Sequence, residues 1–244
     1  MFKHYTSTRW SARFIKRIVS LEIEKRDGKR FRYSSVGDSH SACTYYAGLS
    51  DVVHLGPVTM YRIGRDCNLA SLMICSLLGM DDEHGVPRYL RTHMYRLLSA
   101  TNVVLFFGEI DCRVHVHKHI ALDESVDNTC GRLASQYIAA IKAMQAQHPK
   151  VQFITSSIVP PTNFTGDVNF PTAGRLDERV MYTNSVNNHL SQLSVEYGLR
   201  YADFAKNIPV GTDGAMLDQY HDGTVHLNRK YAYLIDQELV RLGL

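Results

Sequence analysis

The 244-residue sequence predicts an α/β protein built on a largely parallel sheet. Short apolar runs alternate along the chain with stretches of helical period, the pattern of repeated strand–helix units. One run, Val103-Val104-Leu105-Phe106-Phe107, is apolar at every position, as a central strand covered on both faces requires. With 45% hydrophobic and 21% charged residues, the chain is long and apolar enough to bury a core without disulfides or metals.

In chain order, a basic segment comes first. Residues 1–32 hold ten of the 27 Lys+Arg and only three acids, so they carry +7 and the remainder −4, although the net charge is +3. An acidic body argues against nucleic acid as a partner, because phosphate neutralisation needs Lys and Arg on the folded domain. We therefore expect a basic segment at 1–30 ahead of one domain at 31–244. Ser7–Glu24 fits a helix with Trp10, Phe14, Ile18 and Leu21 on one side. Docking on its own domain, or fraying, is favoured for it over contact with a membrane surface. Five cysteines (Cys43, Cys67, Cys75, Cys112, Cys130) with no CxxC pair, no apolar stretch of membrane-spanning length and no signal peptide predict reduced thiols and a cytoplasmic protein.

Strands are expected at Arg32–Val36, Asp51–Leu55, Asn102–Phe107, Val151–Ile158 and Leu199–Asp203, where apolar and β-branched residues cluster. Helices are expected at His40–Ala47, Asn68–Leu78, Pro87–Leu98, Ser125–Gln147, Leu176–Tyr197 and Arg229–Leu242. Pro87 suits a first turn, while Pro149 and Gly198 fall just past helix ends. The long irregular stretch Pro160–Arg175 follows a strand, at the edge of a parallel sheet where ligands bind.

Three blocks could carry chemistry. In Val36-Gly37-Asp38-Ser39-His40-Ser41 a serine falls between a predicted strand and a predicted helix, with Gly37 to allow a tight turn. Asp and Ser there also suit a helix cap. In His221-Asp222-Gly223-Thr224-Val225-His226-Leu227-Asn228 one short loop holds a histidine, which could take a serine's proton, and a carboxylate, which could orient that histidine; the same loop also reads as a surface turn. In Gly108-Glu109-Ile110-Asp111-Cys112-Arg113 charged residues begin abruptly where the central strand ends, which requires that they pair or act on something.

In this order the blocks resemble the SGNH, or GDSL-like, hydrolase superfamily, from about Tyr33 to the end of the chain. The resemblance implies a flavodoxin-like, three-layer α/β/α sandwich with a mostly parallel five-stranded sheet. It implies Ser39 as nucleophile, His226 as general base and Asp222 as its orienter. Gly64, with Gly56 as the alternative, is implied as an oxyanion glycine, and Gly108, Glu109, Asp111 and Arg113 as the oxyanion and substrate-binding block. That block is similar to the variant of a bacterial subgroup that accompanies surface-polysaccharide genes. The expected activity is hydrolysis of a small acyl ester, such as acetyl on a carbohydrate, with no cofactor and no metal. An O-acyltransferase with the same triad, or a non-catalytic glycan-binding relative, are the alternatives.

Two departures from the family pattern stand out. Ile110 occupies the position of the oxyanion asparagine and cannot donate a hydrogen bond. If the chain stays extended there, Glu109, Asp111, Arg113, His115, His117 and His119 share one face, and Arg113 is the substitute donor. The alternating histidines are read as flanking the cleft rather than as metal ligands, since Lys118 interrupts them and no partner pair completes a site. Secondly, Asp222 and His226 are four residues apart instead of three. Asp218 and His221 have the family spacing, but His226 is favoured by the Leu227-Asn228 that follows it and the helix just beyond.

Overall fold

A computed structural model describes residues 33–37, 40, 51–54, 60, 102–120 and 125–244. Its five strands, β1 (Ser34–Gly37), β2 (Asp51–His54), β3 (Asn102–Phe106), β4 (Gln152–Ser156) and β5 (Arg200–Ala202), form one sheet in the order β2-β1-β3-β4-β5. Every pairing is parallel, so all C-terminal ends lie along one edge. Each expected strand is present, shifted or trimmed by a few residues. The helices expected at 40–47, 68–78 and 87–98, and the basic segment at 1–30, lie outside the described residues apart from His40.

Alternation along β3 divides the core in two. Val103 and Leu105 join Val36, Phe107 and Phe153 on one face, against Leu133, Tyr137, Ile138 and Ile141 of α2 (Val126–Gln147) and Val186 and Leu190 of α3 (Leu176–Glu196). Val104 and Phe106 join Tyr33, Ile154, Ala202 and Phe204 on the other, against Leu234, Ile235 and Leu239 of α4 (Tyr233–Arg241). The result is the expected three-layer α/β/α sandwich, with β3 buried on both faces.

Local chemistry sets the helix ends. Ser125 caps α2 by accepting the Asn128 N–H at 3.2 Å, and the α3 entry is closed by the Glu178 carboxylate accepting the Arg175 N–H at 2.6 Å. A 3-10 turn at Arg229–Tyr231, capped by the Asn228 side chain, leads into α4. Residues 160–175 contain no helix or strand and run across the C-terminal edge of the sheet.

The segment after β3 is not extended. A π turn at Asp111–His115 continues into α1 (Val116–Ile120), which corrects the single face expected for residues 109–119. On a helix, successive residues point about 100° apart, so His117 is turned away from the side that His115 and His119 share, and the three cannot lie on one face as they would on a strand. His117 instead meets the Tyr182 hydroxyl at 3.1 Å. Among the described residues no helix is long and apolar enough to cross a membrane.

Candidate active site

The C-terminal loop is closed on itself. His221 and Leu227 form an antiparallel bridge, and the Asp222 N–H donates to the His226 carbonyl at 3.0 Å. This tight ring brings two side chains four residues apart face to face. His226 Nδ1 lies 3.3 Å from Asp222 Oδ2 and 3.1 Å from Thr224 Oγ1. The Thr224 hydroxyl donates to Asp222 Oδ1 at 2.6 Å, and its backbone N–H donates to the same oxygen at 2.9 Å. Burial pushes the Asp222 carboxyl up, but the Thr224 hydroxyl and N–H, with the charge of His226, outweigh it and hold the group below the usual carboxylate range. Thr224 is thus a member of the candidate site that sequence reasoning passed over. Its signal was the extra residue between Asp222 and His226.

The alternative pair also meets, with His221 Nε2 3.3 Å from Asp218 Oδ1. Yet His221 Nδ1 accepts the Gly223 N–H at 3.0 Å, so both ring nitrogens are engaged within the loop. His226 faces outward to other elements. Its ring centroid is 5.1 Å from that of His40 and 5.1 Å from that of Phe170, the latter edge-on. His40 is itself buried and its Nε2 is 3.1 Å from the Val225 carbonyl. The C-terminal loop therefore packs on the residue that directly follows Ser39. Ser39 and Gly64, like the alternative Gly56, lie outside the described residues.

Gly37 ends β1 against β3, where a Cβ would stand 2.1 Å from the Phe106 carbonyl oxygen. Close strand approach, rather than a turn, demands glycine at this position. Gly108 ends the apolar run with φ +112°, and a Cβ there would meet Ile158 at 2.5 Å and Met60 Sδ at 2.7 Å. Beneath it Asp111 is fully buried, its Oδ2 accepting the Met60 N–H at 2.7 Å.

Glu109 and Arg113 line a narrow cleft together with Ile158, Thr162, Arg179 and Val225, the residue before His226. Arg113 Nε donates to Glu109 Oε1 at 2.5 Å and Nη1 donates to the Pro171 carbonyl. The Arg113 carbonyl in turn accepts the Ala173 N–H at 2.8 Å. Arg113 thereby fastens the 160–175 loop, which carries Phe170 onto His226. Cys112, also at the cleft, and Cys130 are buried free thiols. Burial pushes the Cys130 thiol up to about 11 and Cys112 well above its ordinary value, so neither is an activated nucleophile.

In fold, this parallel sheet flanked by helices is similar to those of solved structures that include a GDSL-like lipase. One is a GDSL-like lipase from Bacteroides thetaiotaomicron VPI-5482, 15% identical, with 87% of this chain and 88% of that one covered at a TM-score of 0.50. Another, from Bacteroides fragilis NCTC 9343 and assigned by inference as an acylhydrolase, is 12% identical over 86% of this chain and 85% of that one at a TM-score of 0.53. No family model matches the chain, and no curated protein sequence does. At these identities the likeness concerns the fold alone.

Proposed function

We propose that the protein is a serine ester hydrolase of the SGNH type in which Ser39 is the nucleophile, His226 the general base and Asp222 its orienter. The observation that carries this reading is the seating of the Asp222–His226 loop on His40, the neighbour of Ser39, with the rings 5.1 Å apart. Nδ1 of His226 faces Asp222 and Thr224, so Nε2 is the nitrogen that serves the serine.

In the first half-reaction the Ser39 hydroxyl adds to the ester carbonyl carbon as His226 Nε2 takes its proton. The tetrahedral intermediate then expels the alcohol, which leaves with that proton, and an acyl-serine remains. Water repeats the sequence and releases the carboxylic acid. Asp222, held ionised by Thr224, stabilises the imidazolium formed in each half. The backbone N–H groups of Ser39 and Gly64 are the proposed oxyanion donors, since Ile110 has no donor to offer. A small acyl group, acetyl on a carbohydrate, is the proposed substrate.

The test is labelling by a fluorophosphonate together with turnover of p-nitrophenyl acetate. Stoichiometric labelling that Ser39→Ala abolishes is expected. Absence of both labelling and turnover in the native protein would reject the hydrolase reading in favour of a glycan-binding protein.

A further inference from the structure

The cleft beside His226 contains an arginine that the proposed chemistry does not use. Arg179, in the first turns of α3, is only 3% exposed and lines the cleft. Its Nε is buried with no hydrogen-bond partner among the described residues. On the same cleft, Glu109 Oε2 is also buried and unpartnered, while its other oxygen is taken by Arg113. A buried guanidinium left without an acceptor is costly, because the desolvation of a charge goes uncompensated. Burial lowers the pKa of Arg179, which the charge of Glu109 opposes and that of Arg113 reinforces. Arg179 nonetheless stays charged at any ordinary pH.

The charges do not cancel. Among the described residues two arginines face one glutamate, and Arg113 is already paired with it, so these side chains leave one uncompensated positive charge at Arg179. It also presents one idle donor edge and one idle acceptor, Glu109 Oε2. A ligand that satisfies both brings a single negative charge with in-plane lone pairs and a hydroxyl to donate. A carboxylate matches the guanidinium edge bidentately and brings the cleft to neutrality, whereas a dianion would leave excess negative charge beside Glu109.

We infer that Arg179 and Glu109 form a subsite for a hydroxy-carboxylate, so that the substrate is an ester carried on an acidic sugar whose carboxylate docks on Arg179. This rests on the hydrolase reading for the ester but not for the binding of the acid. Arg179 sets specificity here and takes no part in bond making.

Two measurements test it on the full chain. Calorimetric titration with sodium glucuronate, methyl glucuronate and glucose should show glucuronate binding at least about tenfold more tightly than the other two, with the difference lost in Arg179→Gln. Turnover of an O-acetylated methyl glucuronoside, as free acid and as its 6-methyl ester, should give a kcat/KM ratio of roughly 30 in favour of the acid. That ratio should be carried by KM and fall to about one in Arg179→Gln, with Arg179→Lys in between. Equal binding of glucuronate and methyl glucuronate by the native protein would overturn the subsite whether or not the variants fold, leaving Arg179 a water-solvated structural residue. Turnover of both esters with a ratio near one would overturn the subsite and leave the hydrolase intact. Glucuronate binding without turnover of either ester would do the reverse.

Discussion

At the level of single residues, Thr224 ties Asp222 and His226 into one unit, its hydroxyl donating to the acid while its oxygen lies 3.1 Å from the imidazole. Thr224→Val removes that hydroxyl without changing shape, so the Asp222 carboxyl should rise toward the usual range and kcat should fall about tenfold. A carboxyl titration followed by NMR, alongside the pH–rate profile, checks both. The sign is fixed by the direction of the Asp222 shift. The stabilisation it gives is present above the ordinary carboxylate pKa and is lost as pH falls through its own lowered value. The two candidate bases separate in the same way. His226→Ala is expected to lower kcat/KM for a small acetyl ester by roughly 10³-fold or more, and His221→Ala by less than about threefold.

Between elements, two buried ionic groups act as fasteners. Glu238 of α4, 1% exposed, accepts the Asp203 N–H at 3.1 Å just past β5 and pairs with Lys206 at 2.9 Å and Arg241 at 2.7 Å. Burial pushes its carboxyl up, but those donors win and hold it at about 2. Glu238→Gln should therefore lower stability by about 2 kcal/mol at neutral pH, with the difference present above about pH 4.3 and vanishing as the native protein's Glu238 titrates on further acidification. Urea melts of both proteins at several pH values check this. Arg113 fastens the cleft loop in a similar way. Arg113→Ala strands the Glu109 carboxylate and releases Pro171, and a loss of about 3 kcal/mol is expected in thermal denaturation. A fall in turnover in this variant would then reflect a displaced Phe170 as well as any missing donor.

Across the described residues, the sheet begins at Ser34, after the basic run of the sequence has ended. The strands were legible in the sequence because a parallel sheet buried on both faces writes continuous apolar runs, of which Val103–Phe107 is the strongest. Asp222 and His226 were legible as a loop ahead of a helix, but Thr224 was not, since a threonine in a turn has an ordinary local explanation. Arg179 left no mark either. One arginine near the start of a polar helix looks solvent-exposed until tertiary packing closes over it.

The helical segment after β3 was hidden for a different reason: alternating Val114, Val116 and the three histidines imitate a strand, whereas the chain turns where Asp111 is buried on the Met60 N–H. That turn is a π turn, which holds about one residue more per repeat than an α-helix. Every side chain beyond it is therefore rotated by about 100° from where an unbroken α-helix would have placed it. Deleting one residue between Asp111 and His115 would not merely shorten the segment. It would slip the register of His117 against Tyr182 and of Arg113 against Pro171 together, so the chain's tolerance of length at this point is far narrower than its tolerance of substitution.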